Sequence, residues 1–177
     1  MPDAKDAATI PAEAYGPVVS ERDGLGLVTL RGQPRASVLA AKVDEWLGAS
    51  LPLEPNTAVQ LAEATVMWLS PDAWLVVLTS EARGEALTAA IRAAGGHALA
   101  SSHGRAILRL QDSGARDILA AGCAIDLHPS AFAVDTCVQT LLARMPVLLH
   151  RVADQTFDLY VPRSYARSMR RWLAESA

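Results

Sequence analysis

The sequence predicts an α+β fold made of two βαββα-type units in pseudo-repeat, with antiparallel sheets and helices packed on one face of each. Three observations carry that expectation. Strand-like alternation and helix-like apolar stripes take turns along the chain from Leu25 onward. The order strand, helix, strand pair, helix occurs twice. The second occurrence also keeps the spacing of the first, because Leu30 and Leu110, and Val38-Leu39-Ala40 and Ile118-Leu119-Ala120, lie 80 residues apart. Units of this order are ferredoxin-like, and self-similarity at fixed spacing is the mark of a duplication.

Residues 1–24 mix Pro2, Pro11, Gly16, Pro17 and Gly24 with charges and show no period, so an extended or disordered tail is expected there. The folded domain is expected over 25–177, in half-repeats of about 25–102 and 104–177. Leu25, Leu27 and Val28 to Leu30 form a first strand, ended by Gly32 and Pro34. Leu39, Val43, Trp46 and Leu47 then fall on one helical face, and Gly48 stops the helix. Pro52 and Pro55 make Leu51 to Thr57 a loop. Val59 to Leu69 and Trp74 to Thr79 read as two strands joined through Ser70-Pro71-Asp72, where proline presets the turn. Ser80 caps a second helix with Ala82, Ala86, Leu87, Ala90, Ile91 and Ala94 on one face, ended by Gly95-Gly96. His97 to Ser101 adds a strand.

The order then restarts. Ala106, Leu108 and Leu110 alternate with Arg105, Arg109 and Gln111 as a half-buried strand does. Asp112-Ser113-Gly114 leads into a helix with Ala115, Ile118 and Leu119 inward, closed by Gly122. Strands follow at Thr136 to Ala143, Val147 to Val152 and Phe157 to Val161, the last placing Phe157, Leu159 and Val161 on one face and Asp158 and Tyr160 on the other. Tyr165, Met169, Trp172 and Leu173 give a final amphipathic helix.

Composition narrows function. With 51% apolar and 20% charged residues in 177, the chain has material for a proper core. A net charge of -3 with acids and arginines interspersed offers no basic face for nucleic acid. The longest apolar runs, such as Trp74-Leu75-Val76-Val77-Leu78, fall far short of the roughly 20 residues that span a bilayer. The N-terminal segment has acids and prolines instead of a basic stretch leading into an apolar one, which points to a cytoplasmic protein without a secretory signal. Cys123 and Cys137 read as small buried hydrophobes.

No local catalytic signature is present. His97, His103, His128 and His150 are scattered without metal-ligand spacing. Gly24-Leu25-Gly26 opens like a dinucleotide fingerprint, but Thr29 and a strand follow where a third glycine and a helix should. Neither a Gly-x-Ser-x-Gly elbow nor a phosphate loop occurs. Two polar clusters stand out. Asp126-Leu127-His128-Pro129 occupies a loop where a site could form, although Asp and His before Pro are also ordinary turn chemistry, and the turn is favoured. Arg163-Ser164-Tyr165 opens the last helix, where arginine and backbone N–H groups could hold an anion, or Ser164 could be a simple cap and Tyr165 core. Trp46, Trp68, Trp74 and Trp172 are either core or interface anchors.

The segments Trp68-Leu69-Ser70-Pro71-Asp72-Ala73-Trp74-Leu75, Ala115-Arg116-Asp117-Ile118-Leu119, Ile125-Asp126-Leu127-His128-Pro129-Ser130-Ala131-Phe132, Gln139-Thr140-Leu141-Leu142-Ala143-Arg144 and Arg163-Ser164-Tyr165-Ala166 together resemble the gamma subunit of heterotetrameric sarcosine oxidase. The resemblance runs from about Leu25 to the C-terminus. It implies alpha, beta and delta chains as partners in an assembly that oxidatively demethylates sarcosine to glycine, with hydrogen peroxide and methylenetetrahydrofolate as further products. It implies that FAD, FMN and NAD sit on the partner subunits and that this chain carries no cofactor and no active site. It also implies a fold like the folate-binding domain of the glycine-cleavage T-protein. Where that family has an acidic pair after a turn, this chain reads Met145-Pro146-Val147-Leu148-Leu149-His150, and an apolar pair cannot move a proton on a folate amine. Asp126, His128, Gln139, Arg163, Ser164, Tyr165, Trp68 and Trp74 are the ligand or interface candidates. The alternatives are a folate-binding or aminomethyltransferase-like module and a free-standing small-molecule sensor.

Overall fold

The structure, a computed structural model, describes residues 19–33 and 37–176; Pro34 and the tail over 1–18 lie outside them. In chain order the elements are β1 (Val19–Glu21), β2 (Gly26–Arg31), α1 (Val38–Leu47), β3 (Ala58–Gln60), β4 (Ala64–Ser70), β5 (Ala73–Leu78), α2 (Glu81–Ala93), β6 (His97–Ala100), β7 (Arg105–Gln111), α3 (Ala115–Gly122), β8 (Cys137–Leu142), β9 (Met145–Ala153), β10 (Thr156–Pro162) and α4 (Ala166–Ser176). Two short 3-10 turns, Ser102–Gly104 and Arg163–Tyr165, precede β7 and α4.

Local chemistry sets the boundaries. Ser37 Oγ accepts from the Ala40 N–H at 3.1 Å and Ser80 Oγ from the Arg83 N–H at 3.3 Å, each satisfying a donor that its helix leaves open. Gly48 ends α1 in the left-handed region at φ 68°. Every residue of β5 is buried, as its unbroken apolar run requires of a strand covered on both faces.

The strands form two antiparallel five-stranded sheets, ordered β3-β4-β5-β2-β6 and β1-β7-β10-β9-β8. The first sheet packs α1 and α2 on one face, around Val28, Leu30, Trp74, Val76, Leu87 and Ile91. The second packs α3 and α4 around Leu108, Leu119, Phe157, Leu159, Met169 and Leu173. The two remaining faces meet each other, with Leu27, Met67, Leu75 and Val77 against Ile107, Cys137, Leu148 and Tyr160. The result is a four-layer α/β/β/α sandwich.

Both sheets have one plan. Replacing β2, β3, β4 and β5 by β7, β8, β9 and β10 converts one strand order into the other, and β6 maps onto β1. The half-repeats are therefore real, but they do not close on themselves: the last position of the second sheet is filled by β1, from ahead of the first unit. Asn56 at φ 61° and Asp135 at φ 64° occupy matching places just before β3 and β8, where Thr57 and Thr136 form an isolated bridge joining the two units.

Three expectations need correction. The tail assigned to 1–24 gives up Val19–Glu21, which pairs with β7 and buries Val19; three residues are too few to show a period. Val59 to Leu69 is not one strand but the hairpin β3–β4, turned at 61–63, where the Leu61 N–H donates to the Ala64 carbonyl at 2.8 Å. Tyr165, placed on the inward stripe of the last helix, sits in the preceding 3-10 turn and is exposed, while Ala166 takes the buried place. Gly26 finds its explanation in packing: its Cα lies against Gly84, where α2 crosses β2.

Candidate functional site

The concentration of buried polar chemistry lies between the sheets. Strand parity sends Phe157, Leu159 and Val161 toward the helices, so Asp158 must point into the inter-sheet layer, where it is 1% exposed. Its register neighbours are Arg109 on β7 and His150 on β9. Arg109 donates to Asp158 through Nε at 2.7 Å and Nη2 at 2.9 Å, and Arg22 Nη1 donates to Asp158 Oδ2 at 2.9 Å. The hydrogen bonds that Arg109 donates to Asp158 raise its guanidinium pKa, so Arg109 is held in its charged form.

Other polar side chains tie the layers together. Gln60 Nε2 reaches from β3 to the Asp135 carboxylate at 2.7 Å and the Val152 carbonyl at 2.8 Å. Gln139 Nε2 donates to the Leu69 carbonyl at 2.8 Å. Cys137 Sγ approaches the Thr57 and Trp68 carbonyls at 3.2 and 3.5 Å, and burial pushes its thiol pKa up to about 12, which removes it as a thiolate nucleophile at neutral pH.

His150 is 1% exposed and neither ring nitrogen has a hydrogen-bond partner; Nε2 stands 3.8 Å from Asp135 Oδ1. Burial depresses its pKa below the ordinary 6.5, outweighing the opposing pull of Asp158 and Asp135. The unfolded chain therefore takes up the proton first as pH falls, so stability is held above about 6.5 and declines below it until the folded imidazole also titrates. Urea unfolding at pH 7.5, 6.5 and 5.5 is expected to show that decline, and His150→Leu is expected to flatten it. Equal slopes in the two proteins would show that His150 does not contribute.

Two clefts flank the Asp158 cluster and share Arg22 and Leu25. One, of about 240 Å³, opens between the sheets beside Gln60, Glu63, Thr65, Arg109 and Asp158. The other, of about 190 Å³, lies between the Ser102–Gly104 turn and the start of α4, beside Arg105, Arg163 and Arg170. Among the described residues no group of three or more His, Cys, Asp or Glu side chains is arranged to hold a metal ion.

The residues singled out from sequence are dispersed. Asp126 and His128 make a self-contained turn: Asp126 Oδ1 accepts the His128 N–H at 2.9 Å, and His128 Nδ1 meets Ser130 Oγ at 2.7 Å. Gln139 is an inter-sheet tie. Arg163 lines the second cleft, while Ser164 and Tyr165 follow it as exposed residues. Trp74 is fully buried with Nε1 donating to the Pro52 carbonyl at 2.8 Å, so it is core and not an anchor for a partner. Trp68, opposite it on β4, is partly buried against the same cluster. Arg22, Arg105, Arg109, His150 and Asp158 were missed as a group. Sequence parity had put Asp158 opposite Phe157, but nothing local says that this second face meets another sheet.

Fold and ties define a class: double-unit α/β/β/α domains whose inner polar groups clamp two sheets. The glycine cleavage system aminomethyltransferase T from Bartonella henselae shares this fold, with a TM-score of 0.61 at 16% identity over 88% of this chain and 44% of that one. The sarcosine oxidase, gamma subunit family matches residues 31–177, and the chain belongs to that family. It is 33% identical over 151 residues to the sarcosine oxidase subunit gamma of Corynebacterium sp. (strain P-1), covering 84% of this chain and 74% of that one. It also superimposes on a chain of the heterotetrameric sarcosine oxidase from Corynebacterium sp. U-96, solved in complex with pyrrole 2-carboxylate, with a TM-score of 0.81 and 28% identity over 89% of this chain and 82% of that one. Among the described residues no helix is long and apolar enough to cross a membrane.

Proposed function

We propose that this chain is a non-catalytic structural subunit of a heterotetrameric sarcosine oxidase. In that assembly, alpha, beta and delta partners oxidatively demethylate sarcosine to glycine, releasing hydrogen peroxide and passing the one-carbon unit to tetrahydrofolate. FAD, FMN and NAD sit on the partners and this chain holds none. The observation that carries the reading is the near full-length likeness to a chain of the Corynebacterium heterotetramer. The internal chemistry supports it, because Gln60, Gln139, Arg109 and Asp158 hold the two sheets in place and Cys137 is protonated and buried. Leu99 on β6 and Leu141 on β8, 59% and 56% exposed, lie on the inner faces of outermost strands beyond the overlap of the sheets, and offer apolar surface for subunit contact.

The test is co-expression of the alpha, beta and delta chains with and without this one, reading co-purification, flavin absorbance, thermal stability and turnover per flavin. Omission is expected to lower assembly and stability while the residual oxidase keeps its turnover per flavin. Normal assembly and stability without the chain would sink the structural role. An intact assembly with reduced turnover per flavin would instead assign it a part in the chemistry, and a chain that purifies alone and colourless would favour a folate-binding module or a sensor.

A further inference from the structure

We infer that the cleft between the Ser102–Gly104 turn and the start of α4 is a binding site for a small oxyanion, a carboxylate or phosphate group, recognised by Arg105 and Arg163. Four arginines line this space, Arg22, Arg105, Arg163 and Arg170, against the acids Asp23 and Glu81. Two of the four are already engaged: Arg22 with Asp158, and Arg170 with the Glu21 carboxylate. Arg105 and Arg163 are different. Among the described residues neither guanidinium has a carboxylate within ion-pair distance, and the one side-chain contact of Arg105 is a long 3.5 Å approach of Nη1 to the Tyr160 carbonyl. Arg105 is also only partly exposed, and burial lowers its pKa with no acid to compensate. A partly desolvated, uncompensated charge is costly unless something pairs with it, and a planar guanidinium pairs best with a carboxylate or phosphate.

The surroundings favour an anion, since arginines outnumber the acids Asp23 and Glu81 in the lining. Ser102 Oγ accepts the Leu27 N–H at 3.0 Å, which fixes the turn and leaves its own O–H as a further donor beside the arginines. His103 Nε2 stands 3.7 Å from Glu81 Oε2, so this acid of the lining lies beside the imidazole. The cleft sits where the linker between the half-repeats passes the end of β10, and a ligand here would touch both units at once. Its volume of about 190 Å³ admits a single phosphate or a small dicarboxylate.

Two sources of such a group are distinguishable: a free anion, or an acidic side chain contributed by a partner subunit. In the first arm the full chain is titrated with inorganic phosphate and with glutarate at constant ionic strength, following backbone amides of Ser102–Ile107 and Arg163 by NMR. Saturable shifts confined to those amides are expected, and Arg105→Gln is expected to weaken binding about tenfold, the loss of one charge-assisted hydrogen bond. Arg144→Gln, in the exposed β8–β9 turn, should leave it unchanged. Arg163→Gln, at an exposed position that does not threaten folding, gives an independent reading. The second arm rests on the proposed assembly and uses the intact oxidase. Phosphate that still binds there identifies a free ligand. Loss of phosphate binding on assembly, together with dissociation of the Arg105→Gln/Arg163→Gln chain at lower salt, identifies a partner's acid. The inference is overturned if neither anion shifts those amides and the double variant assembles with unchanged salt resistance. Failure of assembly in every form of the chain would count against the subunit reading without touching the first arm.

Discussion

Asp158→Asn is expected to cost about 3 kcal/mol or more of folding stability, the range for removing one partner of a buried ion pair, and to lower Tm by roughly 10 °C in a chain of this size. The reason is geometric. Asp158 is 1% exposed and accepts three N–H donors from Arg109 and Arg22. An amide can accept at one end only, and its NH2 would face guanidinium groups that also donate. Arg109 would be left charged between the sheets with no counter-ion. A double-mutant cycle separates this from simple loss of a contact. Pairing Asp158→Leu with Arg109→Met is expected to cost less than Asp158→Leu alone, because the second change removes the stranded charge. Both are read by urea unfolding. A single substitution within about 0.5 kcal/mol of the parent would mean that water replaces the carboxylate, as for an ordinary surface pair.

The same cluster marks where sequence stops being informative. Helix stripes and strand alternation are local, and they located α1, α2, β5, β7 and β10 because the residues that define each element are neighbours in the chain. The 80-residue offset carried the pseudo-repeat for the same reason. What local pattern cannot express is which surface covers the second face of a strand. Arg109 and Asp158 alternate with apolar residues as they would on a solvated face, and only contact between the two sheets buries Asp158 and half-buries Arg109. A partial signal existed: Ile107 puts an apolar group on the β7 face that Arg105 and Arg109 share, and Leu75 and Val77 belong to a β5 that is apolar throughout. Those residues form the inter-sheet core. The exchange of β1 into the second sheet had no signal at all, since Val19-Ser20-Glu21 is too short to show a period and its partner lies more than a full half-repeat beyond it.

Gly26→Ala is expected to rank next in effect, at about 3 kcal/mol, the upper part of the range for overpacking. A methyl group at this position would stand 2.3 Å from the Ser80 carbonyl oxygen and 3.0 Å from the Gly84 nitrogen. Both are backbone atoms, so no side chain can rotate away, and α2 would have to lift from β2 at its first turn. That shift would also loosen the Ser80 cap and the Glu81 N–H bond to the Gly24 carbonyl, which is 3.2 Å long. Gly48→Ala is the informative comparison: φ is 68° there but nothing lies within 4 Å of a new Cβ, so only the left-handed strain of about 1 kcal/mol is expected. If the two variants unfold at the same urea concentration, close approach of α2 to β2 is not what Gly26 provides. If Gly26→Ala alone is strongly destabilised, the two glycines are separated by mechanism, one serving packing and the other a turn. Because β2 carries both β5 and β6, the loss should spread through the first sheet and lower incorporation into the oxidase at temperatures where the parent chain still assembles.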